Sequence, residues 1–530
     1  MRHLARVAIA VALLGSVLGA PVQAAPPPFP VDPAQSPSET SGVAIPAGQI
    51  DRAIAKLDGL TKDILRRTGI PGIAVAVVRD GKTVYAKGFG VRRVGAPETV
   101  DPYTVFQLAS VSKSVGATVI AHEVGMHVVD WDTPVVQHLP WFAIGDDWIT
   151  RHVTIADLYA HRSGLPDHAG DDLEDLGYDR KQVLQRLRFA KLHSFRDEYA
   201  YTNFGVTAAA ESVAAAAGMD WATLSEQAIY KPLGMTSTSS RFEDFAHRTD
   251  RAVGHVKNAA GKYEVKYQRQ PDAQSPAGGV SSSVRDMARW MAMVLQGGVY
   301  EGKPIVDKAA LLPAVTPEVI SVHSASMSAR AGMYGYGFNT GSQPSGRTSI
   351  SHSGGFAMGA ATNFVMIPSV GVGIVVLSNA PPIGAVEALT ASFVDLVDFG
   401  TVTRDWLPAY GHVMAPMTAP FGSLVGKTPP QHPAPAASLQ SYIGDYASNY
   451  GGDAGVVQRG DGLALTLGPA KTEYALRHWD GNIFVYTPAG ENAPDGSIAK
   501  ATFTMDAAGH ASSMTIEYLA AEGGGDFVRR

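Results

Sequence analysis

The sequence contains no cysteine. Disulfides, thiolate nucleophiles and cysteine-based metal sites are therefore excluded, and the fold is indifferent to the redox state of its compartment. Long apolar runs are also missing, and the stretch 7–18 is shorter than the roughly 20 residues a membrane-spanning helix needs. Charge of one sign is scarce. A net charge of -6 over 530 residues, with no basic segment, gives no footing for a nucleic-acid partner. The 16 histidines form no His-Glu-x-x-His pair, so no metal site is expected.

What is present describes a folded, multidomain chain. Apolar residues make up 45% and charged residues 17%, and the length calls for two or three domains rather than one core. Arg2, His3 and Arg6, then the short apolar stretch, then Val22-Gln23-Ala24 read as a signal peptide over 1–24, cut near Ala24. With no cysteine there to carry a lipid, the expected product has no stable membrane anchor and is periplasmic or secreted. Residues 25–48, rich in Pro and Ser, read as a flexible spacer.

The apolar positions Ile50, Ile54, Leu57, Ile64 and Leu65 suit one helical face. Residues 73–78, Asp80-Gly81 and 83–86 predict a β-hairpin with a two-residue turn. Helices are expected from Ser110 towards Val124, and over 181–189, 205–217 and 284–296. Strands are expected over 352–361 and 363–366, and the almost wholly apolar 371–377 reads as a buried strand. Strands near both ends imply one sheet assembled from both ends of a domain over 49–400, with a large helical insert between them. That is an α+β plan of an antiparallel sheet flanked by helices. A Pro/Ala/Gly-dense linker is expected over 401–437, a small β-barrel of short strands and Gly-rich turns over 438–523, and a flexible tail over 524–530. The tract 523–525 is expected to be mobile.

Three short motifs carry chemistry. Ser110-Val111-Ser112-Lys113 opens a helix. Residues three apart share a helix face, so Lys113 can reach the Ser110 hydroxyl, and a buried lysine can act as a base. Tyr201-Thr202-Asn203 offers a phenol that can shuttle a proton and an amide that can read a substrate amide. His352-Ser353-Gly354-Gly355 precedes a strand. Its glycines let a substrate backbone approach, and its histidine can bond the tyrosine or a substrate carboxylate. Each motif alone is as readily a surface pair, a half-buried loop tyrosine or a glycine-rich turn.

Together, and in this order, they resemble the Ser-x-x-Lys, Tyr-x-Asn and Lys/His-Thr-Gly motifs of the serine β-lactamase and penicillin-binding-protein-like hydrolases. That superfamily includes class C β-lactamases, D-Ala-D-Ala carboxypeptidases, D-aminopeptidases and related esterases. Residues 158–166, 232–235 and 277–280 also resemble its habits, and the likeness spans about 50–400. It implies a β-lactamase/transpeptidase-like fold, with Ser110 as nucleophile and Lys113 and Tyr201 as its proton-handling pair. His352 joins them in the site, and the Ser110 and Gly355 amides form the oxyanion hole. Asn203, Ser353 and Gly354 would contact substrate. No cofactor is implied. Residues 442–446, 476–479 and 483–486 are similar to the lipocalin-like barrel appended to some of its peptidases. The aromatics there are expected in the barrel core, and the barrel is expected to shape the cleft mouth or mediate association.

One departure bears on substrate. His352 stands where true β-lactamases of this type carry lysine, and a neutral imidazole holds an anionic ligand less strongly than an ammonium. The reading that follows is a serine hydrolase of small peptide or acyl-amide substrates, with short linear peptides, D-residues among them, as the first candidates. A carboxylesterase or weak β-lactamase uses the same chemistry. A catalytically dead sensor of cell-wall fragments is disfavoured because every reacting group is present.

Overall fold

The computed structural model describes residues 35–520 and 523–530. The expected signal peptide and the first part of the spacer lie outside the described residues.

β1 (Gly72–Arg79) and β2 (Lys82–Gly90) form the expected hairpin. It turns at Asp80 and Gly81, with φ of 51° and 74°, the left-handed pair that the tight hairpin turn requires. β1 is buried on both faces. Ile73, Val75 and Val77 enter one core, while Ala74, Ala76 and Val78 enter the other, as the two-residue period of a strand dictates. Three further strands, β3 (Val319–Val322), β4 (Gly332–Tyr334) and β5 (Asn339–Ser342), precede β6 (Thr348–Phe356), β7 (Ala360–Ile367) and β8 (Val372–Ser378). All eight make one antiparallel sheet in the order β2-β1-β8-β7-β6-β5-β4-β3. The sheet is thus built from both ends of the domain, as the sequence implied.

Helices cover both faces. α1 (Gln49–Ala55) and α2 (Leu57–Thr68) divide at Lys56 what the apolar pattern presents as one helical face. α3 (Val111–Gly125), α4 (Asp171–Asp175), α5 (Asn203–Ala216) and α6 (Val284–Leu295) belong to the insert. α7 (Ala385–Phe399) follows the sheet and joins α1 and α2 on one face, where Leu57 and Ile64 share a core with Leu389 and Phe393. Val115 and Val119 of α3 and Met287 and Met291 of α6 fill the core on the opposite face.

Eight strands, β9 (Gly444–Ser448), β10 (Gly452–Arg459), β11 (Gly462–Leu467), β12 (Thr472–Asp480), β13 (Ile483–Tyr486), β14 (Ala499–Met505), β15 (Ala511–Ile516) and β16 (Asp526–Arg529), close into a barrel. Tyr442, Tyr446, Phe484 and Phe503 pack edge-on inside it.

Three boundaries differ from expectation. Residues 524–530 are not a loose tail, because β16 pairs with both β9 and β15 and supplies the closing strand. The glycine tract before it is packed: a Cβ on Gly524 would meet the Tyr450 ring at 2.1 Å, and the Gly525 carbonyl accepts from the Ile516 amide at 2.8 Å. Within 401–437, α8 (Trp406–Met414) docks on α7, with Trp406 Nε1 donating to Asp395 at 2.8 Å. The end of the spacer is also tied down, since Ser41 donates to the Ser345 carbonyl at 2.7 Å and Arg347 to the Val43 carbonyl at 2.6 Å.

Candidate active site

Ser110 stands at the N-terminal cap of α3, immediately after Ala109, whose φ of 48° is a left-handed conformation. Such a conformation is strained for a residue with a Cβ and persists only when its surroundings fix it. Here they do. The Leu108 carbonyl accepts from Thr362 of β7 at 2.6 Å and its amide donates to the Val280 carbonyl at 2.8 Å. The strained turn presents the hydroxyl and amide of Ser110 to the edge of β6.

That edge is available because β5 pairs with β6 only as far as Ser351. Residues 352–356 therefore run past Ser110 without a strand on that side. The approach is close: a Cβ on Gly354 would lie 2.3 Å from the Leu108 carbonyl and 2.9 Å from the Ser110 amide nitrogen. Only glycine fits there. Gly355 is the next residue along the same edge and lines the cleft together with Ser110.

Lys113 lies one turn along α3, fully buried. Its Nζ donates to Ser110 Oγ at 3.2 Å, to Asn203 Oδ1 at 2.6 Å and to the Ala277 carbonyl at 3.0 Å. Burial lowers its pKa to about 7, with the Asp171 charge opposing the shift. Near neutral pH a large share of Lys113 is thus the free amine, a base aimed at the nucleophile. Tyr201 is buried against the same pair. Its ring centroid is 4.6 Å from Lys113 Nζ. Burial raises its pKa, and a hydrogen bond with Ser110 works the other way.

Asn203 begins α5 and is engaged at both ends. Its Oδ1 accepts from Lys113, and its Nδ2 donates to Asp171 Oδ2 at 2.7 Å. It thus aims Lys113 and links it to a carboxylate, while its second N–H and second lone pair stay available to a substrate amide in the cleft that it lines. That carboxylate also accepts from His168 Nδ1 at 2.8 Å. Burial alone would lower the His168 pKa, but the bond to Asp171 and its charge outweigh burial and raise it.

His352 does not bond Tyr201, whose ring centroid is 6.5 Å away. Its Nδ1 lies 2.6 Å from the Ser353 carbonyl, which can only accept, so Nδ1 carries the proton. Nε2 then accepts from the Tyr334 hydroxyl at 2.9 Å. Burial, reinforced by Lys113, lowers the His352 pKa to about 3, so the imidazole is neutral at physiological pH. His161 packs between Tyr201 and Tyr334, with centroids at 4.5 and 5.1 Å. Histidines 161, 168 and 352 thus gather around Tyr201, yet among the described residues no three metal-ligating side chains converge.

The cleft encloses about 550 Å³ and is lined by Ser110, Tyr201, Asn203 and the 352–356 edge, with Glu491, Asn492 and Pro494 from the barrel. The barrel is seated by α4, whose carboxylates fan outward. Asp172 accepts from Tyr450 at 2.9 Å. Asp175 accepts from the Glu491 and Asn492 amides at 2.9 and 2.8 Å, from Asn492 Nδ2 at 3.0 Å and from Tyr518 at 2.6 Å. Glu174 holds Arg269 at 2.6 Å. Glu491 in turn accepts from the Ala357 and Met358 amides, just beyond Gly355. Burial, opposed by Arg269, raises its pKa to about 8. The barrel therefore forms one wall of the cleft. Tyr334, Asp171, Arg269 and Glu491 escape detection by motif. The only sequence signal for Asp171 is the run Asp-Asp-Leu-Glu-Asp, which matches no catalytic motif.

Residues 50–398 match the family model described as Beta-lactamase, and 428–525 match a domain of unknown function, DUF3471. The chain is 29% identical over 408 residues to the unguisins hydrolase ungD' of Aspergillus campestris, covering 74% of each chain. It is 24% identical over 350 residues to the D-alanyl-D-alanine-carboxypeptidase/endopeptidase AmpH of Escherichia coli, covering 64% of this chain and 88% of that one. The octameric penicillin-binding protein homologue from Pyrococcus abyssi superposes with a TM-score of 0.57 at 20% identity, over 90% of this chain and all of that one. A class C β-lactamase from Rhodobacter sphaeroides gives 0.52 at 20% identity, over 64% and 98%; both superpositions are likenesses of fold.

Proposed function

The chain belongs to the beta-lactamase family, and on that premise we propose that it is a serine hydrolase cleaving amide bonds of short linear peptides through an acyl-enzyme on Ser110. The observation that carries this reading is Lys113, buried, with a pKa near 7 and its Nζ 3.2 Å from Ser110 Oγ. In this reading Lys113 takes the Ser110 proton as Oγ attacks the substrate carbonyl. The Ser110 and Gly355 amides stabilise the tetrahedral oxyanion. Tyr201 passes the proton to the leaving amine, and its raised pKa keeps it a phenol able to donate. Water then attacks the ester, with Tyr201 and Lys113 acting in reverse. A relative named as a carboxypeptidase/endopeptidase supports amide substrates, and another is named as a hydrolase of unguisins. Among the described residues no helix is long and apolar enough to cross a membrane, and export by the leader at 1–24 is part of the proposal.

The test is covalent. A fluorophosphonate should add once to the native protein, and peptide mapping should place the adduct on Ser110. Ser110→Ala should take no label and lose hydrolysis of peptides and nitrophenyl esters while its melting curve stays that of the native protein. Labelling elsewhere, or turnover retained by the variant, refutes the assignment.

A further inference from the structure

One carboxyl group in the cleft has no part in the chemistry above. Glu387, on the first turn of α7, is only 4% exposed and lines the cleft beside Ser110, His352 and Ser353. One side of its carboxyl group interacts with its own backbone N–H and with the Ser353 hydroxyl. The other oxygen, Oε2, is buried without a hydrogen-bond partner. A buried acceptor left unpaired is costly, so this oxygen is either protonated or reserved for a donor brought by a ligand.

Its surroundings are fixed. Ser353 accepts from Asn363 Nδ2 at 2.9 Å, and Asn363 Oδ1 accepts from Thr390 at 2.6 Å. That chain leaves the Ser353 hydroxyl proton to point at Glu387. Tyr410 of α8 also faces Glu387, whose charge helps raise the tyrosine's pKa. Among the described residues no cation contributes to the titration of Glu387; Arg404 acts on Tyr410 instead. Lys113 is spent on Ser110, Asn203 and the Ala277 carbonyl. Arg269 is matched by Glu174 at 2.6 Å and Glu491 at 4.0 Å, and His168 by Asp171.

We propose that Glu387 is a specificity-determining residue: it rejects ligands that place a carboxylate beside Ser353 and favours those that place an amide N–H or an amine there. This rests on the proposed peptidase site and names its substrate class. A peptide's terminal carboxylate comes within reach of Ser353 only when the scissile bond is the last one. The site then selects interior or amide-blocked peptide bonds, and disfavours C-terminal residues and β-lactams, which hold a carboxylate near the reacting amide. Protonated Glu387 tolerates a carboxylate and ionised Glu387 repels it. Burial raises its pKa to about 7, so the discrimination is expected to grow as pH rises through neutrality.

Binding to the Ser110→Ala protein tests this without turnover. Calorimetry would compare acetyl-D-Ala-D-Ala with its C-terminal carboxamide at about pH 5.5 and 8.5, where the ligand carboxylate is ionised throughout. The carboxamide should bind about tenfold tighter or more at the higher pH, the equivalent of one pKa unit, and the ratio should collapse towards one at the lower pH. In Ser110→Ala/Glu387→Gln the ratio should stay near one at both. The pH series on the single variant needs no change at Glu387 and so stands even where the double variant misfolds. A ratio near one at high pH, a ratio untouched by the glutamine, tighter binding of the carboxylate, or no binding of either ligand overturns the proposal. Failure of Ser110 to take a fluorophosphonate would sink the catalytic reading separately and leave the binding ratio to decide the role of Glu387.

Discussion

The Asp171→Asn variant isolates the electrostatic link between the base and the carboxylate behind it. Asp171 reaches Lys113 through Asn203, over contacts of 2.7 and 2.6 Å. Two unit charges roughly 6 Å apart at an effective dielectric of about 20 attract by about 2.8 kcal/mol, or roughly two pKa units. His168, paired with the same carboxylate at 2.8 Å, offsets part of that charge, so about one unit is expected to remain. The sign follows from which form is favoured. Asp171 stabilises charged Lys113, so its removal lowers the lysine pKa from about 7 towards about 6. The kcat/KM profile of a nitrophenyl ester should rise as Lys113 loses its proton, and in the variant this rise should come about one unit earlier. The asparagine oxygen can still accept from Asn203, so the geometry is kept. Because His168 would also titrate lower without Asp171, His168→Gln is the control. It should leave an acid limb in place if Lys113 is the base and erase it if His168 is. An unmoved limb in Asp171→Asn, or one moved upward, refutes the assignment of Lys113.

Asp175→Ala would strand the four donors that converge on this carboxylate from Glu491, Asn492 and Tyr518. It should cost about 3–5 kcal/mol in denaturant unfolding, and a loss under about 1 kcal/mol would show that the barrel is seated by other contacts. Tyr334→Phe removes the hydroxyl that donates to His352 Nε2. It should cost about 1–3 kcal/mol of stability and lower kcat/KM with the imidazole orientation lost; an unchanged protein on both measures would mean that Ser353 alone fixes the ring.

The parts of the molecule legible in the sequence are those that short-range periodicity governs. β1 and β8 are apolar on both faces, and the Asp80-Gly81 turn can be read from two residues. The helix after Ser110 ends at Gly125 as its composition dictates. β3, β4 and β5 escape such a reading because they are only three or four residues long, too short for a period to show. β16 was hidden behind glycines that look like a tail and in fact make room for Tyr450. At the site, spacing along one helix identified Ser110 and Lys113, and the motif order added Tyr201 and His352. It gave no access to Tyr334 or Asp171, which reach the cleft through tertiary contacts with His352 and Asn203. The tyrosine that partners His352 lies beyond the sequence for the same reason: only the fold decides which of several tyrosines stands 2.9 Å from Nε2.

The pairing of β1 with β8 sets the order in which this protein can come into being. Ile73 of β1 pairs with Ser378 of β8, so β1 waits for its inner neighbour until most of the chain has been synthesised. Until then the hydrogen-bonding edge of β1 that β8 will occupy stays open. Closing so long a loop is entropically costly and comes late, which makes folding slow and leaves an interval open to aggregation. A holding chaperone acting during that interval would have the hairpin as its natural client. A chain truncated before residue 378 cannot complete the sheet, so such fragments should be recovered unfolded or degraded rather than as partly active enzyme.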